Sequence, residues 1–242
     1  GVTAITEVVI GFDGIVFVNS KKAPQMALTR DDIYRAIARE VPVGGKMVPN
    51  PFKTWKDVNP ALPADAIQVF GPAPNHGTRD ALVELVMEPA CEKHAEVKAL
   101  DKDAKKKACK TVREDGAWIE VSESYNVTMQ KVAGTPGAVG IVGFSYLEQN
   151  EDKVHAASVD GVAPSYDGIA TGKYPVSRPL YFYVKKSHVG MVPGIKEYIA
   201  EFTSDKAWGK DGYLADKGLI ASPDAFRKEQ AANAHNLGDL KM

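Results

Sequence analysis

The chain has 242 residues, 44% of them hydrophobic and 25% charged, and its 30 basic and 31 acidic side chains leave a formal net charge of −1. That length can bury one large core or two modest ones, and the even charge balance gives no reason to expect nucleic acid or an anionic membrane surface as a partner. No apolar run approaches the roughly 18 residues that a membrane span needs, and residue 1 opens no signal peptide, so an exported form is expected to have shed its targeting segment.

Taken in order, residues 8–19 are apolar at nearly every position, which predicts a strand covered on both faces. Gly11 and Gly14 interrupt it and mark a bend, a bulge or a close backbone approach. Thr29 with Asp32 matches a capping box, and Ile33, Tyr34, Ile37 and Ala38 form the apolar face of a helix ending near Glu40. Residues 42–66, with Pro42, Pro49, Pro51, Pro60 and Pro63, read as a loop anchored by Trp55.

Residues 67–89, IQVFGPAPNHGTRDALVELVMEP, carry the chemistry. A short strand (Ile67, Val69, Phe70) leads through a Gly/Pro/Asn turn into a helix opening near Thr78, with Leu82, Val83, Leu85, Val86 and Met87 facing inward and Pro89 expected to stop it. Such a turn aims backbone N–H groups and the positive end of a helix dipole at one point, a place suited to an oxyanion. Gly77 and Thr78 offer backbone and hydroxyl donors, Arg79 a charged fork, and Asn75 and His76 weaker polar contacts. The plainer alternative makes Thr78 or Asn75 a helix cap and Arg79 a solvated charge.

Cys91 and Cys109 bracket a Lys-rich segment read as a solvated helix. A disulfide fits this pair better than a zinc site with His94 would, and it implies an oxidising compartment; two buried free thiols stay open as the other reading. Residues 116–121 predict a strand, and Ser124 or Asn126 caps a helix through Ala133 whose N-terminus could reach the same cleft. Residues 134–145 read as a turn and strand, and 147–173 as loops and short strands. In 177–186, Leu180, Phe182 and Val184 alternate with Tyr181 and Tyr183 behind Arg178, an expected pairing residue. Pro193 suits the first turn of a helix carrying Ile195, Ile199 and Phe202. Ser204 caps a helix with Trp208, Ser222 to Asp224 open the last helix, and 231–242 read as a frayed polar tail.

Strands alternating with helices predict an α/β architecture. Gly77, Thr78 and Arg79 before an apolar helix resemble the Ser-Gly-Thr-Arg turn of the periplasmic phosphate-binding proteins that serve bacterial ABC importers. GFDGIVFVNS at 11–20, TWKDVNPALP at 54–63, GAVGIVGFSYLE at 137–148 and YPVSRPLYFYVKK at 174–186 resemble other segments of that family, in its order. His76 stands in place of the family's serine, Pro72 where some members carry arginine, and Tyr125 where an acidic residue is expected.

The resemblance implies a two-lobed periplasmic-binding-protein fold (type II), each lobe a mixed sheet flanked by helices. Residues 8–175 would form the second lobe, with the anion turn, and residues 1–7 and 176–242 the rest of a first lobe that lacks its initial βα segment. It further implies a monomeric periplasmic protein without cofactor or metal, which captures inorganic phosphate at Gly77, Thr78, Arg79, His76 and Asn75 and delivers it to a membrane ABC permease. One alternative is a fold-retaining interaction protein or fragment with lost or altered anion binding. Another is a phosphatase using His76, from a partial likeness to the Arg-His-Gly-X-Arg motif of histidine phosphatases; the first arginine is Asn75 here, which leaves the transferring group short of a clamp.

Overall fold

The computed structural model describes residues 4–121 and 124–240. The first three residues of the expected first-lobe piece 1–7, Ser122 and Glu123 ahead of the helix capped at Ser124, and the last two residues of the expected tail lie outside that range. Helices flank sheets throughout, a mixed α/β architecture. The chain forms two compact units, one of Gly14–Pro164 with Tyr174–Val176, the other of Gly1–Asp13, Ser165–Lys173 and Ser177–Met242.

The larger unit is built on the second half of the long strand Ile5–Ser20, where every residue from 14 to 20 is buried. Val139–Gly143 pairs with it antiparallel, as does Val154–Ala156. Val69–Pro72 then runs parallel to both Val139–Gly143 and Trp118–Val121. Continuous burial of Ile15, Val16, Phe17 and Val18 means that both faces of this strand are covered. Tyr174 is fully buried and donates its hydroxyl to the Ile15 carbonyl at 3.0 Å, which ties the returning segment Tyr174–Val176 to this strand.

The helix Arg30–Ile37 has the predicted capping box of Thr29 and Asp32 but stops short of Glu40, because Ala38 is extended and the chain turns into a hairpin. That hairpin, Glu40–Val43 against Lys46–Pro49, occupies part of the expected loop. Its two-residue turn is Gly44 and Gly45 with φ of 59° and 80°, left-handed values that glycine adopts without strain and that match strand twist. Trp55 opens a one-turn helix, Trp55–Val58, and is 1% exposed, the anchor its sequence position suggested.

Pro89 does not end the helix that follows the anion turn. The run continues in three parts, α over Gly77–Leu82, π over Val83–Met87 and α again over Glu88–Cys91. A proline at position 89 cannot donate to the Leu85 carbonyl and crowds it. The π turn widens the helix just ahead of that point, and Arg30 Nη1 reaches the Leu85 carbonyl at 3.5 Å. The buried pairs Ala81 and Leu82, Val86 and Met87, and Ala90 and Cys91 are accordingly spaced by five and then by four.

Cys91 and Cys109 form a disulfide with Cα atoms 5.4 Å apart, which closes the thiol and zinc alternatives. It fastens Lys102–Lys110 to the end of that run. The segment expected as strand through Ser145 changes at Phe144 into the helix Phe144–Glu148.

The smaller unit packs Val8, Val184, Ile199, Trp208 and Ala234 into its core, with Ile10, Phe182, Phe202 and Leu237 against them. Ser177–Lys185 neighbours the first half of the long strand. Gly11 marks a close approach: a Cβ there would lie 2.7 Å from the Ile220 carbonyl oxygen, beside the bridge between Phe12 and Ile220. Pro193 lies two residues ahead of the helix Ile195–Phe202, because Gly194, left-handed at φ 88°, caps it instead. Through Leu240 the tail is docked, not frayed. The last helix runs Asp224–His235, Ala234 is fully buried, Asn233 donates to the Glu7 carbonyl at 2.8 Å and Leu240 N–H to that of Ile5 at 3.0 Å.

Candidate anion-binding turn

Gly71 sets the geometry of the site. It follows Val69 and Phe70 in a strand whose parallel neighbour places Val69 beside Trp118. Residues 69 and 71 share a face, and a Cβ on Gly71 would lie 2.0 Å from the Trp118 ring, so glycine lets the indole lie flat on the strand. The Arg79 guanidinium stacks 4.7 Å from the centre of that ring. Its Nη1 donates to the Pro72 carbonyl at 3.0 Å and lies 3.6 Å from Glu120 Oε1.

Arg79 is therefore not a solvated charge; its side chain is 11% exposed. Burial lowers its pKa from the usual guanidinium value, with Glu120 pulling the other way. A guanidinium stays protonated in any case, so the site carries a fixed cation partly balanced by one carboxylate.

The helix cap is His76, not Thr78 or Asn75. His76 is extended (φ −98°, ψ 134°), and its Nδ1 accepts from the Thr78 N–H at 3.2 Å. The Thr78 side chain is buried, and its hydroxyl meets the Tyr125 hydroxyl in a short hydrogen bond. Tyr125 begins the helix Tyr125–Gly134 after Ser124, so the start of this second helix does reach the turn, as its position in the chain suggested. The Tyr125 ring lies edge-on to His76 at 5.3 Å and to Tyr146 at 4.7 Å. Asn75, His76 and Gly77 are exposed.

The structure thus gathers His76, Thr78 and Arg79 with Pro72, Trp118, Glu120, Tyr125 and Tyr146. The last four are residues that sequence reading did not assign to the site. Tyr125 drew notice only as a departure from an expected acid, and Trp118 and Glu120 enter through strand register, which a lone strand segment does not reveal. The enclosed space between Pro72, His76, Val121, Ser124, Tyr125, Thr128 and Ile141 is about 20 Å³, room for a single water molecule. Among the described residues no group of three or more His, Cys, Asp or Glu is placed to hold a metal ion.

Residues 1–206 match the model of the PBP superfamily domain. The chain belongs to the PBP superfamily. Within this superfamily it is 30% identical over 194 residues to the phosphate-binding protein PstS of Staphylococcus haemolyticus, covering 78% of this chain and 50% of that protein. It is 34% identical over 108 residues to PstS of Bacillus subtilis, covering 44% of this chain and 35% of that one. The chain therefore spans about half the length, or less, of these relatives.

Among solved structures, a possible phosphate-binding protein from Planctomyces limnophilus superposes with a TM-score of 0.73 at 21% identity, covering 98% of this chain and 74% of that one. An ABC-type phosphate transport receptor from Vibrio cholerae gives 0.63 at 21% identity, over 90% of this chain and 72% of the other. These two likenesses speak for the PBP fold.

Proposed function

We propose that this PBP superfamily chain captures inorganic phosphate at residues 75–79 and delivers it to a membrane ABC permease, without chemistry on the ligand. The observation that carries the proposal is the arrangement around Thr78. One buried hydroxyl, the start of a helix and a stacked guanidinium with a fixed charge converge beside a second helix start at Tyr125. In a dry setting each such donor counts for more than it does in water, which is what tight oxyanion capture requires. The names of the PstS relatives and of the Vibrio cholerae receptor support phosphate and an importer in particular. The disulfide supports an oxidising, periplasmic location. A monomer carrying phosphate needs neither cofactor nor metal.

A second reading, the retained fold with altered anion binding, is favoured by one contact. The Thr78 N–H is already taken by His76 Nδ1. A phosphatase using His76 has less support, because that same nitrogen faces an amide and Arg79 is turned to the Pro72 carbonyl.

Equilibrium dialysis with radiolabelled phosphate, in the presence and absence of excess sulfate, separates these readings. Retention that sulfate does not displace supports phosphate capture. Retention abolished by sulfate gives the altered-anion reading, and release of phosphate from a phosphomonoester would favour the enzyme.

A further inference from the structure

We propose that His76 is a proton-operated cap on the anion turn: the neutral imidazole closes it, and uptake of one proton opens it to the anion. The inference rests on the reading of residues 75–79 as the oxyanion site and adds its regulation. Nδ1 accepts the Thr78 N–H at 3.2 Å only while that nitrogen keeps its lone pair, with the ring hydrogen on Nε2. A proton taken from solvent onto Nδ1 turns it from acceptor into donor. The Thr78 N–H loses its partner, and the imidazolium, exposed at the helix start, adds a positive charge where an oxyanion would sit. One proton is bound, the N–H···N contact is lost, and the freed amide turns to the anion.

Two further observations bear on the turn. The space adjoining His76 has room for about one water molecule, and His76 itself is exposed to solvent, where a proton can reach it. The His76 ring also meets the Tyr125 ring edge-on at 5.3 Å, an apolar contact that does not fix the imidazole by a hydrogen bond.

Among the described residues, charged and titratable groups face His76 from two sides. Arg79 and Asp80 lie on its own helix, Arg79 being turned to the Pro72 carbonyl and Glu120. Tyr125 and, behind it, Tyr146 come from the facing helices. Glu123 lies outside the described residues. The neutral imidazole accepts the Thr78 amide and the protonated one does not, so anion capture becomes linked to proton uptake.

The test is calorimetric titration with inorganic phosphate from pH 5 to pH 8, on the 242-residue chain and on His76→Asn. Asparagine caps the same amide but does not titrate. Phosphate's own protonation is common to both proteins and cancels in the ratio of their affinities. The expected result is that the parent binds about tenfold tighter than His76→Asn at pH 5.5 and that the two converge by pH 8. At pH 6.5, titrations in buffers of different ionisation enthalpy should show the parent taking up more protons than the variant. Binding with the same pH response in both proteins would overturn the gate and leave phosphate capture standing. No phosphate binding by either protein at any pH would overturn capture and gate together.

Discussion

The Trp118 ring occupies the space that a Gly71 side chain would fill, with a would-be Cβ only 2.0 Å from the indole. The indole in turn supports the Arg79 guanidinium 4.7 Å from the ring centre. A single absent methyl group on a buried strand thus fixes where the site's cation lies. Gly71→Ala must push the ring off the strand, and overpacking of this kind costs about 1–3 kcal/mol. A lowered midpoint in urea with an unchanged slope is the expected result, together with weaker phosphate binding as Arg79 loses its platform.

Thr78 and Tyr125 share a short hydrogen bond between two helix starts. On the proposed function Thr78→Val removes a hydroxyl that would donate to a charged ligand, an interaction worth about 1.5–3 kcal/mol, or a 10- to 100-fold loss in phosphate affinity. Tyr125→Phe should cost less, because the Thr78 hydroxyl stays available. Equal losses in the two variants would place the ligand on Tyr125 instead.

Arg113 is 2% exposed and donates to the carbonyls of Ala36 at 3.1 Å and Phe52 at 2.9 Å and to Asp115 Oδ1 at 2.7 Å. These bonds join the helix Arg30–Ile37 to the segments at Phe52 and Asp115. Arg113→Met leaves carbonyls without their donor and should cost about 1–3 kcal/mol in chemical denaturation.

The Arg113 hydrogen bonds also hold the Asp115 carboxyl well below the usual carboxylate range. A folded pKa below the unfolded one means that the pair's stabilisation is complete above the unfolded carboxylate value, about 4, and drains away as pH falls below it. Asp115→Asn should therefore be less stable than the parent at pH 6 and lose less stability between pH 5 and pH 2. Acid titrations followed by circular dichroism check the sign.

The disulfide closes a loop with a sequence separation of 18 between Cys91 and Cys109, both fully or almost fully buried. Replacing both cysteines with alanine should cost about 3 kcal/mol through the freed unfolded chain. Loss of the Lys102–Lys110 segment from its packing should show as faster amide exchange there before global unfolding.

Much of this was legible in the chain itself, where local rules act alone. The capping box at Thr29 and Asp32, the buried strand around Val16 and the Trp55 anchor depend on near neighbours and appear as read. Pro89 was misjudged because its effect is decided by a π turn upstream and by Arg30, a residue far off in sequence. Gly44 and Gly45 form a two-residue hairpin turn that the surrounding prolines obscured. The tail was misread because Ala231, Ala234 and Leu237 are too sparse to announce a buried face, and Val8 and Trp208 supply the rest of it. At the candidate site, the turn of Asn75, His76, Gly77, Thr78 and Arg79 stands out in the sequence as a place suited to an oxyanion. The platform of Trp118, the carboxylate of Glu120 and the cap made by His76 depend on strand register and rotamer, which no local pattern encodes.

On the proposed function residues 75–79 hold the anion, and amide NMR reads that turn residue by residue. A ¹⁵N spectrum of the labelled protein at pH 6.5 is followed as inorganic phosphate is added. Saturating shifts of the Gly77 and Thr78 amides and of Arg79 Nε are expected, with sulfate at equal concentration producing less. Unmoved signals at 76–79, with phosphate bound elsewhere or not at all, would contradict it.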